Sequence, residues 1–175
     1  YRAAQVARNR RITGWVQAEL AAIRASDEPN GERAFVVHGT MADPRWLDPA
    51  IDPSERRPNW CFLGDPKVVN DGPVGLARFC TLRSWLSQWS IGHARGDAQK
   101  SLVHLTQPAL VVGNTADDAC TPSHTHRLFE AIPHERKRLH EVQGATHSYT
   151  GPDGRRHLGE AIGVIGDFLH TELPG

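Results

Sequence analysis

Apolar positions along this chain recur with two different periods, and the period changes where turn residues fall. Residues 1–25 contain no proline, and Ile12, Val16, Leu20 and Ile23 follow one another at steps of four, four and three, the spacing of one face of a long amphipathic helix. The segment 27–31 (DEPNG) carries turn chemistry. The short apolar run 34–37 after it, bounded by Gly39, reads as a buried strand.

Six prolines fall between Thr40 and Pro73, four of them preceded by aspartate (Asp43-Pro44, Asp48-Pro49, Asp52-Pro53 and Asp65-Pro66). Each proline turns its predecessor away from helix, so a long irregular loop is expected. Loops of this length are unusual inside a compact domain. Trp46, Leu47, Ile51, Trp60 and Phe62 predict that it wraps against another surface. Over 81–91 (TLRSWLSQWSI), Leu82, Trp85, Leu86 and Trp89 stand at helical spacing, which predicts a helix whose tryptophans pack into a core.

The last third has the clearest pattern. Residues 108–113 (PALVVG) form a β-branched run ending in turn residues, as in a buried strand of a parallel sheet. Thr121-Pro122 then supplies a helix cap followed by proline at the first helical position, and Leu128, Phe129 and Ile132 continue a helix face up to Pro133. Residues 136–142 are a second, more polar strand. Over 156–173, Leu158, Ile162, Ile165 and Leu169 outline a terminal amphipathic helix, despite Gly159, Gly163 and Gly166. Strand, helix, strand, helix is an α/β pattern with a few parallel strands flanked by helices. The expected division is a helical and irregular segment over 1–107, wrapping or cap-like, and an α/β segment over 108–175.

Composition narrows the class. At 175 residues the chain has room for one domain but not for two catalytic ones. Leu, Ile, Val and Phe number 38, near the level below which strongly charged chains stay unfolded, but here 20 basic residues meet 20 acidic ones. A thin core is therefore expected rather than disorder. Zero net charge gives no long-range pull toward nucleic acid or anionic membrane, and the turn Arg8-Asn9-Arg10-Arg11 reads as a solvated helix face. No apolar run approaches a membrane span. Cys61, Cys80 and Cys120 are an odd number without paired short spacing, which fits a reducing cytoplasm better than a disulfide framework.

Chemistry concentrates in two loops, each at the carboxyl end of an expected parallel strand, where functional groups of open α/β sheets collect. One contains Asn114, Thr115, Asp117 and Asp118; the other contains Thr146, His147 and Ser148. Asp117 and His147 lie 30 residues apart, enough for a helix and a strand between them, so both can emerge at one sheet edge. A carboxylate beside an imidazole is the rear half of a charge relay, in which the acid orients the base. The segment 117–126 also holds acid, thiol and imidazole groups of the types that bind zinc. His124 and His126, two apart on a helix start, point in different directions, and neither a metal nor a cofactor is expected.

Residues 108–147 resemble the C-terminal part of the α/β-hydrolase family. PALVVGNTADDACTP is similar to the penultimate strand with its catalytic acid, and EVQGATHSY to the last strand with its catalytic histidine. The whole chain looks most like poorly characterised bacterial hydrolases of that fold. The resemblance implies Asp117 as the acid, with its neighbour Asp118 as the alternative, and His147 as the base.

The family's G-x-S-x-G elbow for the nucleophile is missing: Ser54, Ser84, Ser87, Ser90 and Ser101 lack the flanking glycines, and Cys61 and Cys80 do not fit either. The expectation is that the nucleophile lies upstream of Tyr1. The chain then acts as the C-terminal part of a larger hydrolase of an ester-like or related small molecule and is inactive in isolation. Its expected partner is the N-terminal half, in the same or a separate chain, and a homo-oligomer stays open. The alternative is a non-catalytic binding or assembly module on the same scaffold.

Overall fold

The proline-rich stretch divides the chain rather than forming one loop. In the computed structural model, residues 2–39, 43–73, 75 and 78–172 are described. They fall into two compact units, Tyr1–Pro44 with Asp65–Asp97, and Arg45–Gly64 with Ala98–Gly175. The boundary expected after residue 107 is thus replaced: residues 45–64 belong with the C-terminal strands. The reason is backbone pairing. The Glu55 N–H donates to the Thr115 carbonyl at 3.1 Å, and the Phe62 N–H to the Asp118 carbonyl at 3.0 Å.

The first unit opens with helix α1, Arg2–Arg24. Val16, Leu20 and Ile23 on its apolar face are buried, with Ile12 partly so. Removing each of these aliphatic side chains from water contributes about 1.5–3 kcal/mol. They pack on Val37, Cys80, Leu82 and Trp85. Strand β1, Ala34–Val36, pairs antiparallel with β2, Phe79–Thr81, with Phe35 opposite Cys80. This corrects the reading of 34–37 as a buried strand. A two-stranded ribbon covers one face only, so Ala34 and Val36 are exposed while Phe35 turns inward between Trp15 and Trp85.

The short helix α2, Pro66–Asp71, sits where an irregular loop was expected. Asp65 is its cap, its carboxylate accepting from the Lys67 N–H at 2.8 Å, and Pro66 takes the first helical position. The buried Arg78 guanidinium ties the segment to β1 by donating to the carbonyls of Val37 (2.6 Å), Val69 (2.9 Å) and Asn70 (2.8 Å).

The expected 81–91 helix forms in altered shape. Helix α3, Leu82–Ser84, begins with a reciprocal Thr81–Ser84 capping box. It then widens to a π-helical turn over Trp85–Trp89, closed by the Ser90 N–H on the Trp85 carbonyl at 2.9 Å. Trp85 is in the core, as the spacing predicts. Its indole N–H donates to Thr13 Oγ1 at 3.1 Å, and that hydroxyl is 2.8 Å from Ser90 Oγ.

The second unit contains helix α4 (Ala98–Leu102), strand β3 (Ala109–Asn114), helix α5 (Pro122–Ala131), strand β4 (Lys137–Val142) and helix α6 (Gly154–Glu172). The two strands pair parallel, from Ala109 opposite Lys137 to Asn114 opposite Val142. This is a mixed α/β chain with a small parallel sheet, as the alternation of elements predicts. The outer ends expected for the first and last helices, Tyr1 and Leu173, lie outside the described residues.

Helix α5 departs from expectation in its cap. Thr121 makes no side-chain cap bond; the Asp52 carboxylate, brought in by the 45–64 segment, accepts from the Ser123 N–H at 3.2 Å. Helix α6 departs in its orientation. Gly154, His157 and Ala161 face the sheet, whereas Leu158, Ile162 (60% exposed), Ile165 and Leu169 form an open apolar stripe. At the start of the helix only glycine fits: a Cβ on Gly154 would run into the Tyr149 carbonyl oxygen.

Within 45–64, Trp46 is buried and Trp60 and Phe62 are partly covered, but Leu47 and Ile51 are exposed, against expectation. The segment is organised around Arg56, which is buried and donates to the carbonyls of Arg45 and Ile51, both at 2.9 Å, and of Asp52 at 2.5 Å. Among the described residues no helix is long and apolar enough to cross a membrane.

Candidate functional site

Parallel pairing of β3 and β4 brings their carboxyl ends side by side, and the loops leaving them are bonded together. The Thr115 N–H donates to the Val142 carbonyl at 3.2 Å, the Ala116 N–H to the Ala145 carbonyl at 3.0 Å, and Asn114 Nδ2 to the Thr146 carbonyl at 3.0 Å. Gly144 turns the second loop with φ at +73°, a conformation that glycine adopts without steric penalty. Ala145 beneath it is fully buried. The two loops therefore hold their side chains at fixed separation.

Asp117 is positioned by its own turn. Oδ1 accepts from the backbone N–H groups of Ala119 and Cys120, both at 2.7 Å. Two short bonds on one oxygen leave the other, Oδ2, directed outward, and it lies 3.2 Å from His147 Nδ1. The Asp117 side chain is 8% exposed and that of His147 40%. A buried acid thus meets a partly exposed imidazole. Phe62 closes one side, its ring 5.5 Å from the His147 ring and tilted against it.

Asp118, the alternative acid, is not at the Nδ1 atom. Burial, reinforced by the charge of Asp117, raises its carboxyl above the ordinary value, although backbone N–H groups, that of His147 among them, partly offset this. The geometry favours Asp117 of the adjacent pair as the imidazole's partner.

Two neighbours have no motif in the sequence to mark them. Glu55, from the 45–64 segment, accepts from the Thr115 hydroxyl and from the Gly144 N–H at 3.0 Å, and these bonds lower its carboxyl below the ordinary range. It braces both strand-end loops. Cys120 is the second. The residue is exposed, but its sulfur, an Asp117 carboxylate oxygen and a His147 ring nitrogen all lie within 4.8 Å of one another. Although the residue is exposed overall, partial burial of the thiol group and then the Asp117 charge push it up.

The histidines of α5 do not join the cluster: His126 Nε2 instead lies 3.4 Å from Glu141 Oε1. None of the three cysteines is in a disulfide.

An acid fixed by backbone donors and a partly exposed imidazole held through Nδ1 can hold and pass a proton. Compared with known proteins, the chain matches no family model, no curated protein and no solved structure.

Proposed function

We propose that the second unit supplies the acid and the base of a nucleophile–histidine–acid hydrolase of the α/β-hydrolase kind, acting on an ester-like or related small molecule. The observation that carries this reading is the 3.2 Å approach of His147 Nδ1 to Asp117 Oδ2 at the ends of two adjacent parallel strands. With Nδ1–H donating to the carboxylate, Nε2 is left as a lone-pair acceptor. It is then placed to take a proton from an attacking hydroxyl and return it to the leaving group, while Asp117 stabilises the imidazolium.

Cys120 is close enough to be considered as the attacking atom, but its environment is wrong for one. Nucleophilic thiols are lowered by positive neighbours, whereas burial and Asp117 raise this one. The reading therefore assigns the nucleophile to a partner segment that adds strands to the sheet. Two features support such a partner. The β3–β4 sheet has two strands among the described residues, leaving outer edges that further strands can extend. The Leu158, Ile162, Ile165 and Leu169 stripe of α6 is open, as expected of a helix that packs against more than its own strands.

The test is covalent labelling with a fluorophosphonate probe of tagged chain isolated together with its bound partner. The expected result is a labelled partner whose labelling is lost in His147→Ala while co-isolation persists. Label that survives His147→Ala removes the relay, and no label on any chain favours the non-catalytic assembly module.

A further inference from the structure

The Asp117, Cys120 and His147 cluster contains three different metal-ligand types in one place, and their arrangement is close to what a small tetrahedral ion demands. Zinc-type ions bind imidazole nitrogen and carboxylate oxygen at roughly 2.0–2.1 Å and thiolate at roughly 2.3 Å. Two nitrogen or oxygen ligands on a tetrahedron of that size are about 3.3 Å apart, and a sulfur stands about 3.6 Å from each. His147 Nδ1 and Asp117 Oδ2 are 3.2 Å apart, already one edge of that tetrahedron. The sulfur lies within 4.8 Å of a carboxylate oxygen of Asp117 and a ring nitrogen of His147, so it has at most about 1 Å to close on those atoms. Cys120 and His147 are exposed and able to make that adjustment, while Asp117 is anchored through Oδ1 and keeps Oδ2 for the ion.

We propose that Asp117 Oδ2, His147 Nδ1 and Cys120 Sγ form a site for one divalent transition-metal ion of the zinc and cobalt class, with a fourth position open to water. Thiolate with imidazole selects this class over magnesium or calcium, which prefer oxygen ligands throughout. A dication between carboxylate and sulfur reverses the effect of Asp117 on the thiol, which binds as thiolate and releases its proton to solvent.

The site has one consequence that rests on the relay reading. An ion on Nδ1 displaces the proton shared with Asp117 and leaves the imidazole's proton on Nε2, so the ring donates there instead of accepting. Metal occupancy and the relay are mutually exclusive, and the ion silences the base.

Cobalt is the probe. Co2+ added to the reduced full-length chain is expected to give a thiolate-to-cobalt charge-transfer band in the near ultraviolet and visible bands of tetrahedral intensity, saturating at one ion per chain and removed by zinc. Cys120→Ser should lose the charge-transfer band, His147→Ala should weaken binding, and His126→Ala should change neither. In parallel, zinc should protect Cys120 from alkylation in the unmodified chain, with protection reversed by a chelator. A charge-transfer band that survives Cys120→Ser overturns the site, as does unchanged alkylation in saturating zinc. Because these readouts need no turnover, cobalt binding without fluorophosphonate labelling retains the site and discards the relay, and the converse retains the relay alone.

Discussion

Replacing Asp117 by asparagine separates its two duties, because the two oxygens do different work. Oδ1 receives two backbone N–H bonds at 2.7 Å and Oδ2 receives the imidazole. In Asp117→Asn the amide has no free choice of orientation. Its carbonyl oxygen must face the Ala119 and Cys120 donors, since an amide NH2 there would oppose two N–H groups. The NH2 therefore faces His147 and requires Nδ1 to accept, which moves the ring proton to Nε2.

Asp117→Ala, in contrast, removes both turn bonds. Hydrogen bonds to a charged acceptor contribute about 1.5–3 kcal/mol each, less when two share one turn and water can replace them. The alanine variant should lose about 2–4 kcal/mol, and the asparagine variant about 1 kcal/mol or less. Urea denaturation measures the stabilities, and 15N chemical shifts of the His147 ring report the tautomer. If labelling of the partner is observed, its rate in Asp117→Asn should fall by up to about four orders of magnitude. Equal destabilisation by both substitutions, or an unchanged tautomer in Asp117→Asn, would refute the division of labour between the two oxygens.

Three further outcomes follow from buried groups outside the relay. Arg78→Met strips the donors from the carbonyls of Val37, Val69 and Asn70 and should cost the first unit about 3 kcal/mol or more, read by thermal or urea denaturation. Gly154→Ala sets a Cβ against the Tyr149 carbonyl, part of a backbone that cannot rotate away. A loss of about 3 kcal/mol is expected there, whereas Gly163→Ala, in the interior of α6 with nothing within 4 Å of the new Cβ, should gain about 0.5–1 kcal/mol. Asp52→Asn should cost about 1 kcal/mol at pH 7 by weakening the α5 cap. Burial opposes the Asp52 charge, but the bond from Ser123 and the nearby Arg45 guanidinium help outweigh it and hold the folded carboxyl below its ordinary 3.8. The stabilisation is therefore present above that value and lost as pH falls through the lower folded one, so the two proteins should converge in acid. A difference independent of pH would contradict the assignment.

Several elements show why only part of this was legible from residue order. Asp65-Pro66 is a helix cap followed by a helix-tolerant proline, yet it sits among three other Asp-Pro pairs and reads equally well as a break. Which reading holds depends on whether the following turn has something to pack on, and here Val69 is buried and Arg78 gathers the Val69 and Asn70 carbonyls. The apolar stripe of α6 was correctly periodic, but periodicity cannot say that the inner face would go to Gly154, His157 and Ala161 instead. Glu55 carries no signal at all, since it stands far from both loops in sequence and is recruited by strand-end backbone groups.

Periodicity and turn chemistry determined the long first helix, the β3–α5–β4–α6 alternation, and the placement of Asp117 and His147 at two strand ends, because each of these depends on neighbours a few positions away. Tertiary structure alone decided that 45–64 joins the C-terminal strands, that Asp117 and not Asp118 meets the imidazole, and that Cys120 stands beside them. Those outcomes depend on which backbone donors lie free at the end of a parallel pair and on how close a helix can approach it, and both are fixed only when distant segments compete for the same space.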